Sequence, residues 1–187
     1  TFNGNAGING TTGIVDYNVN YTYSNTDGIS EALDTTGKAN FDKDGFMRNS
    51  FQANITVKAG RNLKIAPYYR YSYYKGGFDA DAFTDGVNSF SALLNNTGAV
   101  ATYALPKGTI TANYGYTYAF RNYVSSYGPT NYKGKFNTAE LYLTQQLQKN
   151  IKLLAGINYQ TYGLIDSTVL PKDPHTSIVS PYASVFF

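Results

Sequence analysis

The chain has 187 residues, a formal net charge of +3, no Cys and one His, with 42% apolar and 14% charged residues. These counts exclude a disulfide framework, a zinc finger, a cysteine nucleophile and a multi-histidine metal site. So small a positive charge makes no case for nucleic acid as partner, and 16% aromatic residues is the opposite of a disordered composition. No apolar run approaches the roughly 18 residues that cross a bilayer as a helix, so a test for helices alone reads the chain as soluble. The pattern along it says otherwise.

Helix formers are sparse, and Gly, Asn, Thr and Tyr recur throughout. Period-two alternation dominates instead, which is the signature of strands with one oily and one wet face. Val15, Tyr17, Val19, Tyr21 and Tyr23 alternate with Asp16, Asn18, Asn20 and Thr22. Phe51, Ala53, Ile55 and Val57 alternate with Gln52, Asn54, Thr56 and Lys58. Leu63, Ile65, Pro67, Tyr69, Tyr71 and Tyr73 form the next oily row, followed by Ile110 to Phe120 and by Ile151 to Tyr159. About nine strands are predicted, near 1–9, 12–24, 46–59, 62–75, 97–105, 108–122, 135–148, 151–163 and 176–187. Pro67 is awkward in a central ladder and suggests a bulge.

The connections carry information of their own. Asn9-Gly10-Thr11, Gly60-Arg61, Pro106-Lys107 and Lys149-Asn150 read as tight turns. The stretches near 25–45, 76–96, 123–134 and 164–175 read as long loops, with Gly76-Gly77 as a loop hinge. Short and long connections then alternate, placing all short turns at one edge of an up-and-down sheet. Outer-membrane barrels have that asymmetry. The strands are about 10–14 residues, against roughly 5–6 in soluble sheets and about 9–11 for a membrane strand. Aromatics gather near strand ends (Tyr21 and Tyr23, Tyr71 to Tyr74, Tyr116 to Phe120, Tyr159 with Tyr162), as interfacial girdles would. The fold expected is all-β, an antiparallel up-and-down transmembrane barrel segment. Asn54, Lys58, Arg70, Asn113, Arg121, Asn158 and Gln160 would face a hydrated interior. A soluble β-sandwich is the alternative, since its strands alternate too.

Several ordered stretches carry a family resemblance. They are Thr26-Asp27-Gly28-Ile29-Ser30-Glu31-Ala32, Phe41 to Phe46, Tyr68-Tyr69-Arg70-Tyr71 leading to Gly77-Phe78-Asp79-Ala80, Tyr132 to Phe136, and Leu154 to Gln160. Together the set resembles the TonB-dependent outer-membrane receptors, most closely the cobalamin (vitamin B12) transporter branch in its Bacteroidota style. The resemblance implies a plugged barrel of roughly 22 strands. Residues 1–187 would be a central slice of about nine strands, an open curved sheet without the plug. It also implies a bacterial outer-membrane location, a solute such as cobalamin, membrane lipid around the barrel, and a TonB complex engaged through the missing plug.

Acidic loop residues are the candidate site. Asp42 and Asp44 precede Gly45, and Asp79, Asp81 and Asp85 follow in the next long loop, on the same side of the sheet. Packed carboxylates repel one another, and a divalent cation removes that repulsion. Calcium takes six to eight oxygens in loose geometry, although the spacing is not that of an EF-hand. The resemblance implies calcium bound by Asp42, Asp44 and Asp79, with a first acidic position near Ser30 or Glu31. His175, in the Pro-rich run 171–175, is expected to be an ordinary loop residue, and no Ser-His-Asp set can be assembled around it. The chain is therefore expected to be no enzyme. A small complete barrel with a structural or adhesive role is the remaining alternative.

Overall fold

The alternating segments fold into nine antiparallel strands of one sheet, each paired to the next in sequence. The structure is a computed structural model, and it describes residues 1–37, 40–166 and 174–187. The strands are β1 (Phe2–Thr12), β2 (Val15–Thr26), β3 (Phe46–Lys58), β4 (Leu63–Phe78), β5 (Asn88–Leu105), β6 (Gly108–Ser125), β7 (Gly128–Gln148), β8 (Ile151–Asp166) and β9 (His175–Phe186). Among the described residues there is no helix, hence none long and apolar enough to cross a membrane, a test that does not bear on strands. β1 and β9 make no contact, so the sheet stays open and no second sheet packs on it. The sandwich expected as an alternative is therefore not formed, nor is a small closed barrel.

Register gathers the alternating apolar rows of the nine strands on one face. Residues directly opposite in an antiparallel pair share a face, so Thr12, Val15, Val57, Ile65, Ala101, Ala112, Leu141, Ile157 and Pro181 make a single row. On the other face Asn18, Asn54, Tyr68, Gly98, Gly115, Thr138 and Gln160 form a row. All seven residues expected to face a wet interior lie on this polar face. It also holds the ion pair Lys58–Asp16, at 3.0 Å. Large side chains there lie over glycines: the Tyr68 hydroxyl covers Gly98 and Gly115. The Tyr182 hydroxyl crosses Gly156 and donates to Glu140 at 2.8 Å.

The sheet has almost no core. Among the described residues only Ala32 and Ala92 are buried hydrophobics, while Ile110, Tyr114, Leu141, Ile157 and Val179 lie exposed on the apolar face. A soluble monomer of this mass exposes about 8,800 Å² by surface scaling, and this sheet exposes 12543 Å².

Several connections differ from expectation. The first turn is Gly13-Ile14, with Gly13 at φ 56°, rather than Asn9-Gly10-Thr11. The stretch 123–134 is no long loop: β6 and β7 run through it as a hairpin closed by Ser126-Tyr127, with Gly128 at φ 99°. Strict alternation of short and long connections is corrected accordingly. The stretch 76–96 shrinks to residues 79–87, and Gly76-Gly77 belongs to β4 through pairing with Phe90 and Ser89, where the Phe90 ring and Asp44 occupy the space side chains would fill. Pro67 causes no bulge. Without an N–H it interrupts pairing to β3, which resumes at Val57↔Ile65 in unchanged register. A register shift lies instead at Gln146/Gln148. The strands run from 11 to 21 residues, longer than expected. Of the last predicted loop, residues 167–173 fall outside the described residues, and His175 opens β9 opposite Gly163 instead of lying in a loop.

Candidate functional site

β3 and β4 form one hairpin, so the segment before β3 and the segment after β4 return to the same end of the sheet. This hairpin brings together Asp42, Asp44 and Asp79, each offering a carboxylate oxygen within 4.8 Å of the others. The three expected site residues thus do meet. Calcium–oxygen distances of about 2.3–2.6 Å put oxygens across one ion at most roughly 5 Å apart, so the cluster is small enough for one cation.

The backbone is built around Asp79, which is buried. Its Oδ2 accepts from the Ala32 amide at 2.5 Å and the Ser30 hydroxyl at 2.9 Å, and its Oδ1 accepts from the Gly86 amide at 3.1 Å. The Leu33 amide donates to the Ala82 carbonyl at 2.8 Å, pinning the first loop to the second. The Asp44 carboxylate receives the Glu31 amide at 2.8 Å, and the Asp44 amide donates to the Ile29 carbonyl at 3.1 Å. Gly28 permits this fold-back. It sits at φ 70°, and a Cβ there would fall 1.9 Å from the Asp44 carbonyl oxygen. Of the two candidates for a further position, Ser30 turns its hydroxyl into the cluster, whereas Glu31 contributes its backbone amide and stays exposed.

Asp85, one of the acids expected in the second loop, stands beside the three without sharing their 4.8 Å spacing. Its Oδ2 accepts from the Asp42 amide at 3.3 Å, and its Oδ1 is buried with no partner. The signal available was its position six residues after Asp79, in the same loop. Asp81, by contrast, turns to its own loop and accepts from the Phe83 amide at 2.8 Å.

Electrostatics divide the cluster. The Ala32 amide above all, with Ser30 and Gly86, holds the Asp79 carboxyl down at about 2. Contact with the Asp85 carboxylate, followed by the charges of Asp44 and Asp79, pushes Asp42 above the usual carboxylate range. Asp79 therefore stays ionised while Asp42 resists ionising beside its neighbours. A divalent cation held by Asp42, Asp44 and Asp79 would remove that conflict.

Next to the acids, the polar face changes character. Phe46, Tyr74, Phe90, Tyr123 and Tyr132 lie ring against ring, with centroids 6.1–6.4 Å apart, and Phe78 joins Phe90 at 6.4 Å. Arg121 stands in the same row as Tyr74 and Tyr132. Sequence reading grouped aromatics by their place along strands and so mixed two sets. Of the aromatics so grouped, Tyr21, Tyr71, Tyr73, Tyr118 and Phe120 belong to the apolar face, whereas Tyr74 and Tyr162 belong to the polar one, as do Tyr123 and Tyr132.

No protein-family model matches the chain, nor does any curated protein or solved structure.

Proposed function

We propose that this sheet is a segment of an outer-membrane barrel from a TonB-dependent transporter, importing cobalamin or a similarly scarce, large solute. The apolar face carries the reading. Along β4 that face runs Leu63, Ile65, Pro67, Tyr69, Tyr71, Tyr73 and then Lys75. Leu63 to Tyr73 spans about 34 Å at roughly 3.4 Å per residue. A strand tilted by about 40° reduces this to a height of about 26 Å, against the roughly 25 Å apolar band of outer-membrane barrels. β7 has the same order, Leu143, Leu141 and Ala139 giving way to Lys135 and Lys133. A soluble protein leaving this face uncovered would aggregate. Lipid covers it at no such cost.

In this reading the polar face lines the lumen. The loops at the acidic end capture solute, which passes to the aromatic row beside Arg121. Calcium bridges Asp42, Asp44 and Asp79, with Asp85 beside them, and orders the loops before docking. The segment binds and guides, and performs no covalent chemistry. Energy would enter through a plug and its TonB partner.

The chain has no Cys, so single cysteines carrying a nitroxide can be placed along β8 of the full-length protein in lipid vesicles. Leu153, Ala155, Ile157 and Tyr159 should be reached by lipid-soluble oxygen. Leu154, Asn158 and Gln160 should be reached by a water-soluble nickel reagent. Loss of that alternation, or folding in plain buffer without detergent, would overturn the membrane reading. Uptake of radiolabelled cyanocobalamin by cells with and without the gene tests the solute.

A further inference from the structure

The apolar face sorts its charges. Within the strands every acid that register places, Asp16 and Glu140 among the described side chains, lies on the polar face. Among the described residues the apolar face carries three lysines, Lys75, Lys133 and Lys135, all in the half of the sheet toward the acidic-loop end. Lys133 lies over the Phe120 ring at 5.8 Å, an ammonium resting on an aromatic at the top of the band.

At the same height a cavity of about 660 Å³ opens beside β4. Lys43 reaches it from the loop, and Lys75 from the strand. Asn25, Ser89, Ser91 and Asn122 add neutral polar groups, while Met47 and Tyr73 line the apolar side. Asp27 also lines it, and the Asp44 carboxylate lies against Gly77 at its edge, so the two lysines there stand close to two carboxylates. Neither lysine has an ion pair, Lys58–Asp16 being the one pair among the described residues.

We infer that this cavity holds the phosphorylated headgroup of a membrane lipid. The inference rests on the membrane reading above. Ammonium, hydroxyl and amide donors together suit a phosphate, whose oxygens accept several charge-assisted hydrogen bonds. The adjacent apolar rows suit the acyl chains of the same molecule, and a free anion would gain nothing from them. Lysines at this depth extend toward the headgroups while their stems stay on apolar surface. Lys133 and Lys135 continue the basic rim three strands farther on, toward neighbouring headgroups.

The test uses full-length protein in a neutral detergent, titrated with dioctanoyl phosphatidic acid and read by native mass spectrometry. The Lys43→Gln, Lys75→Gln double variant should bind about thirtyfold more weakly, at the usual contribution of a lysine near an anionic lipid. Dioctanoylglycerol, which lacks the phosphate, should bind wild type and variant equally poorly. Lys149→Gln, at the opposite end of the sheet, should behave as wild type. Equal retention of phosphatidic acid by wild type and the double variant would overturn the inference, as would its full displacement by equimolar inorganic phosphate. If the nitroxide scan alternates along β8 while the double variant binds normally, the headgroup site alone is wrong. If the scan fails, the membrane reading goes first.

Discussion

The Asp79 carboxylate accepts a hydrogen bond from the backbone amide of Ala32, joining two loops across 47 residues of chain. Both residues are buried in a structure that buries very little else. An acceptor that satisfies an interior amide cannot be deleted without leaving the donor unpaired. Asp79→Ala should therefore release residues 27–37 while the sheet, held by its own ladder, stays intact. Protease cleavage of that loop should accelerate about tenfold or more, the usual consequence of losing a charge-assisted bond in a partly buried site. Asp79→Asn, keeping one carbonyl acceptor, should lie between. Unchanged cleavage in the alanine variant would show that Leu33 and its partner Ala82 suffice to hold the loop.

The same cluster predicts a pH profile. Asp79 is held at about 2, below its ordinary 3.8, so its contribution is complete above 3.8 and fades as pH falls toward 2. Asp42 is raised by Asp85, so its contribution is complete below 3.8 and is lost as pH rises through its elevated value. In chelator the loops should be best protected in mild acid just above 3.8 and should loosen toward neutral pH. Hydrogen exchange of residues 27–37, corrected for intrinsic rate, reads this directly. Protection that climbs steadily to neutral pH would mean that Asp42 does not feel Asp85 as described.

Calcium should abolish the neutral-pH loosening, because it supplies the positive charge that Asp42, Asp44 and Asp79 lack among themselves and offsets Asp85 beside them. The double variant Asp42→Ala, Asp44→Ala removes two carboxylates and should erase any difference between calcium and chelator in loop protease sensitivity. Asp85→Asn should weaken the calcium effect and also relieve Asp42, improving protection in chelator at neutral pH. If wild-type loops are cut equally fast with calcium and with chelator, there is no cation site to explain.

Face assignment was legible in the sequence because period-two patterning is local: Ile55 and Ile157 announce their side without knowledge of a partner. Turn placement was less so. A turn at Asn9-Gly10-Thr11 would set Ala6 opposite Ile14 and Gly4 opposite Asp16, mixing the faces. The observed register sets Ala6 against Tyr21 and Ile8 against Val19. Gly10 and Gly13 look alike as turn residues, and only pairing separates them. The run from Tyr123 to Tyr132 looked like a loop because Ser, Gly, Pro and Asn are polar and break ladders. It pairs regularly from Val124↔Pro129 onward, so its polarity is that of a hairpin standing in water. The acidic site was half legible. Asp42, Asp44 and Asp79 follow from the β3–β4 hairpin, but the part of Asp85 depends on a bend through Gly86 whose geometry no spacing reveals.

The glycines of the polar face offer a sharper test of how the sheet is packed. By strand propensity alone, Val in place of Gly strengthens a strand. At Gly98 the opposite should hold. A Cβ there would fall 2.2 Å from the Tyr114 carbonyl oxygen and 2.5 Å from the Tyr68 hydroxyl. Gly98→Val should cost about 1–3 kcal/mol, the range for overpacking, seen as a lower urea midpoint at constant slope in lipid vesicles. Gly163, on the apolar face, has nothing within 4 Å of its would-be Cβ. Gly163→Val should leave the midpoint unchanged or raise it. Adding Tyr68→Ala to Gly98→Val should recover only part of the loss, because the Tyr114 carbonyl belongs to the neighbouring strand's backbone and cannot swing away. Equal shifts for the two valine variants would mean that Tyr68 does not lie over Gly98, and the close approach of ring and backbone on this face would have to be abandoned.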